Sequence, residues 1–151
     1  MNLPESANPA HEVAPIGWTL VFMAWLIATI STLGALFLGE IMGYAPCVLC
    51  WYQRIAMFPL VFVLPAGLFP YDRRVIRYAL PLALAGLAVA AFHLALIAGW
   101  IPESIKPCEQ GVPCSVVQVT WFGFVTIPLL SLLSFISVAG LLAATHFKGS
   151  K

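Results

Sequence analysis

Four long apolar runs, separated by short polar breaks, dominate the pattern of the chain. Ile16 to Gly39 contains no charged residue, and neither does Tyr78 to Pro102. Val116 to Phe147 is free of Asp, Glu, Lys and Arg, with His146 near its end, whereas Val48 to Tyr71 carries Arg54. Each run provides the roughly 20 residues that a helix needs to cross a hydrocarbon core of about 30 Å. A backbone in that medium must satisfy its own N–H and C=O groups, so the runs are predicted to be helices. Pro59, Pro65, Pro81 and Pro128 within them predict kinks or local unwinding rather than breaks. The expected fold is an all-α membrane protein, a four-transmembrane-helix bundle with two short outer loops. Its single transmembrane domain covers residues 16–147, with polar tails at 1–15 and 148–151.

Composition supports a bilayer as the solvent. Hydrophobic residues make up 62% of the 151 and charged residues 9%, against about a quarter charged in soluble domains. Charge also sets the orientation. Arg73, Arg74 and Arg77 lie between the second and third runs with only Asp72 opposed, and Lys148 and Lys151 follow the fourth. The positive-inside rule makes both segments cytoplasmic, and four crossings then put the N-terminus there too. The stretches around Gly39 to Pro46 and Pro102 to Ser115 face outward, Lys106 being an exception to the charge bias. Met1 to Pro15 is polar, is expected to be disordered and lacks a basic leader, so the first run is expected to act as an uncleaved signal anchor. Net charge is only +1 and no nucleotide-binding glycine loop occurs; no nucleic-acid partner is expected.

The chemistry is therefore sought in the outer helix ends and outer loops, where all four cysteines fall. Cys47-Val48-Leu49-Cys50 opens the second run, and Cys108 and Cys114 lie in the second outer loop. Four cysteines admit three disulfide connectivities, and spacing does not choose among them. Structural bracing is one reading, which would make the chain a structural or partner-binding tetraspan protein. It is weakened because Cys-x-x-Cys encloses too little chain to stabilise much. A four-cysteine zinc site is another, disfavoured by the loose spacing of Cys108 and Cys114; no metal is expected. Redox exchange explains more. Cys47 and Cys50 follow Pro46 at a predicted helix N-terminus, where free amides and the helix dipole stabilise a thiolate. Arg54 adds a fixed positive charge, and Cys47, Cys50 and Arg54, at i, i+3 and i+7, are expected to share a stripe. Around the other pair, Gly111, Pro107 and Pro113 favour a compact reversed loop that would be open to thiolate attack.

Pro46-Cys47-Val48-Leu49-Cys50-Trp51-Tyr52-Gln53-Arg54 closely resembles the signature of the DsbB family of thiol:quinone oxidoreductases, in particular its shorter BdbC-like branch. Ile105-Lys106-Pro107-Cys108, Gly111-Val112-Pro113-Cys114-Ser115 and Trp121-Phe122-Gly123-Phe124-Val125-Thr126-Ile127-Pro128 extend the likeness over all four runs and both outer loops. The resemblance implies a multi-pass protein of the bacterial cytoplasmic membrane with cysteine loops outside and both termini inside. It implies redox-active disulfides Cys47–Cys50 and Cys108–Cys114. A thioredoxin-like (DsbA/BdbD-type) thiol oxidase would be the partner, attacking Cys108. Cys114 would then exchange with the first pair, and Cys50 would pass electrons to ubiquinone or menaquinone beside Arg54. Only five residues separate Cys108 from Cys114, whereas the longer branch has a far larger loop there.

Arg54 and His93 are thus the expected quinone-site residues. His93 lies about fifteen residues, or roughly 22 Å, along the third run from its cytoplasmic end, at a depth similar to that of Arg54. Trp18, Trp51, Trp100 and Trp121 fall near run ends and suit an interfacial belt, with Trp51 also placed to pack on a quinone headgroup.

Overall fold

A computed structural model describes residues 9–101, 120–121 and 125–148, with side chains detailed for 16–101 and 126–148. Cys108 and Cys114 lie outside the described residues. Four helices carry the fold: α1 Pro9–Leu36, α2 Val48–Ala66, α3 Val75–Ile97 and α4 Ile127–Lys148. All four are long and apolar enough to cross a membrane, as the hydrophobic pattern requires. α1 continues into a π-helical turn at Phe37–Ile41, closed by Met42 N–H donating to Phe37 O. α1 packs on α2 and α4, and α3 packs on α2 and α4, so the helices form a closed ring.

Two boundaries differ from expectation. α1 begins at Pro9, so residues 9–15 are helical where a disordered tail was expected; proline is tolerated in a first turn, where no N–H partner is needed. α4 begins at Ile127 rather than near Val116. Ahead of it, Thr120–Trp121 pairs antiparallel with Val125–Thr126, a two-residue strand pair among described residues that are otherwise mostly helical. Pro128 consequently sits in the first turn of α4, starting the helix rather than kinking it. Pro59, Pro65 and Pro81 do lie inside helices.

Small residues let the helices approach. α3 buries Ala79, Ala83, Gly86 and Ala90 at helical spacing, and α1 buries Val21, Ala24 and Ala28. The space a Gly86 side chain would need is filled by the fully buried Phe135 ring of α4. Close approach of this kind drives helix association where lipid removes the hydrophobic force. Larger apolar side chains such as Ile30, Leu33, Ile41 and Phe62 point outward, as a lipid solvent permits.

Polar bonds between helices fill specific vacancies. Pro65 has no N–H for the Val61 carbonyl four residues before it; the Trp25 indole Nε1 of α1 donates to that carbonyl at 3.1 Å. Arg73, in the α2–α3 connection, donates to Thr145 O and His146 O at 3.0 and 3.2 Å, covering carbonyls the last turn of α4 cannot pair internally. Ser31 and Ser134 join α1 to α4 at 3.0 Å.

Candidate functional site

The N-terminus of α2 is built by its own sequence. Cys47 is the N-cap, with extended backbone (φ −71°, ψ 169°), and its Sγ accepts a hydrogen bond from Cys50 N–H at 3.3 Å. A sulfur thereby takes the place of the usual capping oxygen on an orphan amide. Cys50 lies in the first turn, its Sγ 2.8 Å from Cys47 Sγ. Both are free thiols, and closing a disulfide of about 2.05 Å needs only a small movement.

α3 brings His93 to this pair. Its ring is buried, with Nε2 3.9 Å from Cys47 Sγ. Gln53, also buried, donates from Nε2 to His93 Nδ1 at 3.1 Å, which places the ring proton on Nε2, facing the sulfur. Leu49 and Leu96 are buried beside Cys47, with Phe92 and Ile101 packed against them. Hydrogen bonding from the Cys50 thiol, helped by His93 and opposed by burial, holds the Cys47 thiol below its ordinary pKa.

Arg54 leaves α2 on the other side. Its Nη2 donates to Ala35 O at 2.8 Å, and its guanidinium lies 5.6 Å from the Trp51 ring centroid. A Cβ on Gly39, in the π-helical turn, would come within 3.0 Å of Nη2; the missing side chain makes room for the cation. Elsewhere on α1 and its π-helical turn, Ile30, Leu33, Gly34, Leu36, Phe37, Glu40 and Ile41 line an open, mainly apolar groove.

Two groups are therefore gathered around the first cysteine pair, a His–Gln pair on the α3 side and an arginine on the α1 side. Cys50 and Arg54 are one turn apart, as the spacing implies. Cys47 departs from the expected stripe because its extended backbone lies ahead of the helical register. His93 meets Cys47 rather than Arg54. Gln53 was not anticipated, although its place three residues after Cys50 inside an apolar run was a visible signal. Chemically, the cluster offers a dithiol, an imidazole whose Nε2 faces the Cys47 sulfur, and a fixed cation.

A family model described as disulfide bond formation protein DsbB matches residues 17–145. A probable disulfide formation protein of Metapseudomonas resinovorans is 52% identical over 83% of this chain and 88% of its own length. Disulfide bond formation protein C of Bacillus subtilis is 44% identical over 78% and 86%, and a probable disulfide formation protein C 1 of Bacillus cereus 44% over 79% and 86%. No solved structure matches the chain significantly.

Proposed function

The chain belongs to the DsbB family of disulfide bond formation proteins, and from that premise we propose that it reoxidises a thioredoxin-like extracytoplasmic thiol oxidase and delivers the electrons to a membrane quinone. The observation that carries this reading is the Cys47–Cys50 dithiol at the N-terminus of α2, with His93 on one side and Arg54 on the other.

The residues around Arg54 fit a quinone. The Gly39 gap leaves room for the guanidinium beside the Trp51 ring, and a cation next to an aromatic face suits the polar ring of a quinone. Arg54 and Trp51 would hold the headgroup, and the bound quinone would supply a two-electron, two-proton sink. On the thiol side, oxidation of one partner dithiol to one disulfide releases two electrons and two protons. Cys108 takes the partner in a mixed disulfide, and Cys114 exchanges with Cys47. Cys50 is the last thiol of the relay, beside the fixed charge of Arg54. His93 donates from its Nε2–H to the Cys47 sulfur when that sulfur is a thiolate, with Gln53 holding its ring. The cysteine loops face outward and both termini face the cytoplasm, as the arginines of the α2–α3 connection favour.

The test is purified protein with a reduced thioredoxin-like dithiol partner and a short-chain quinone, followed by quinone absorbance. Cys47→Ser and Cys50→Ser should abolish turnover, and Cys114→Ser should trap the partner on Cys108. Full turnover in these variants would refute the relay. Lost stability without a redox defect would instead favour disulfide-braced loops.

A further inference from the structure

The thiols of Cys47 and Cys50 and a ring nitrogen of His93 all lie within 4.8 Å of one another. Two sulfurs and an imidazole nitrogen are the donors that thiophilic d10 cations prefer. We propose that the reduced protein binds one such cation, Zn2+ or Cd2+, through Cys47 Sγ, Cys50 Sγ and His93 Nε2. This site is distinct from the four-cysteine arrangement disfavoured by the sequence, because its third ligand comes from α3 and the second outer loop plays no part.

The geometry requires modest adjustment. Tetrahedral zinc with metal–sulfur bonds of about 2.3 Å and a metal–nitrogen bond of about 2.0 Å sets sulfurs about 3.8 Å apart and sulfur and nitrogen about 3.6 Å apart. The Cys47 Sγ–His93 Nε2 distance is 3.9 Å, already close, whereas the sulfurs, 2.8 Å apart, must separate. Cys50 is only partly buried, so its side chain has room to turn outward. The same pair therefore stands between two outcomes: a small approach makes a disulfide, and a larger separation admits a metal.

Two further features suit a cation. Gln53 fixes the ring through Nδ1, the kind of outer contact that orients a ligating histidine. A half-turn of its amide would let Oε1 accept from Nδ1–H, leaving Nε2 bare to ligate. Two thiolates neutralise a divalent ion, so the complex adds no net charge among Leu49, Leu96 and Phe92. Binding replaces the remaining S–H bonds by metal–sulfur bonds and releases their protons to solvent, with no change in oxidation state. The sulfur electron pairs then belong to the metal, so metal and disulfide exclude one another. The inference stands apart from the quinone reading and holds whichever acceptor the dithiol serves.

The experiment uses the full-length chain carrying Cys108→Ser and Cys114→Ser, reduced with a phosphine and titrated with Cd2+ against a competing chelator. Expected are one Cd2+ per chain, an ultraviolet thiolate-to-cadmium band and protection of both thiols from alkylation. His93→Gln should weaken binding at least tenfold with helicity unchanged. The same protein oxidised to the Cys47–Cys50 disulfide should bind none. Absorption spectroscopy at the zinc edge, on the protein with His93 intact, should show two sulfurs and one imidazole. Sulfur ligation without imidazole, undiminished affinity in a folded His93→Gln protein, or no stoichiometric binding would each overturn the site.

Discussion

Gln53 and Arg54 are neighbours in the chain and leave α2 in different directions, one to His93 of α3 and the other to the end of α1. Arg54→Met should therefore lower quinone reduction at least about tenfold, since each ~1.4 kcal/mol of lost charge stabilisation is a factor of ten in rate. Arg54→Lys should recover part of it, restoring charge without the planar donor fork. Gly39→Val offers an independent check, because its side chain needs the space of the guanidinium. It should reproduce the direction of the Arg54→Met defect while the arginine is still present. Quinone kinetics measured apart from partner exchange decide both cases. The placing of Cys47 and Cys50 at a helix start, with Arg54 one turn on, was legible from spacing, since a helix start and one helical turn are local properties. The meeting of His93 with Cys47 was not, because depth along two separate helices says nothing of which faces they present to each other.

Among the helices, the bond from Trp25 to the Val61 carbonyl serves an acceptor that Pro65 leaves without its usual partner. Trp25→Phe keeps most of the apolar volume and removes the donor, so it should cost about 1–3 kcal/mol, read as a lower unfolding midpoint in a mild detergent series. Gly86→Ala should cost about as much by overpacking against Phe135, without altering disulfide exchange. Hydropathy located all four helices yet put the start of α4 near Val116 rather than at Ile127. An apolar run can be helix or strand, and Thr120, Val125 and Thr126 of the strand pair are β-branched residues that favour the latter. At the other end, Pro9–Pro15, which includes His11 and Glu12, extends α1 beyond the long apolar stretch, where hydropathy carries no signal.

For the whole molecule, the orientation derived from charge has a direct consequence. A cysteine introduced at the exposed Met42 should react with a membrane-impermeant maleimide from outside the cytoplasmic membrane, and one at Asp72 only after that membrane is opened. The reverse pattern would put the dithiol in a reducing compartment. The ring of helices also shows an asymmetry in how its polar bonds are divided. Trp25 and Arg54 donate from a side chain to a main-chain carbonyl of another helix, and Arg73, in the α2–α3 connection, does the same to α4. Every residue type carries that carbonyl, whereas few side chains can supply the donor. In a saturation mutagenesis scan, the three donor positions should tolerate little, while Ala35, Val61 and His146, which contribute only main-chain oxygen to these bonds, should accept many replacements. Substitution tolerance would then trace the contacts between helices from one side alone.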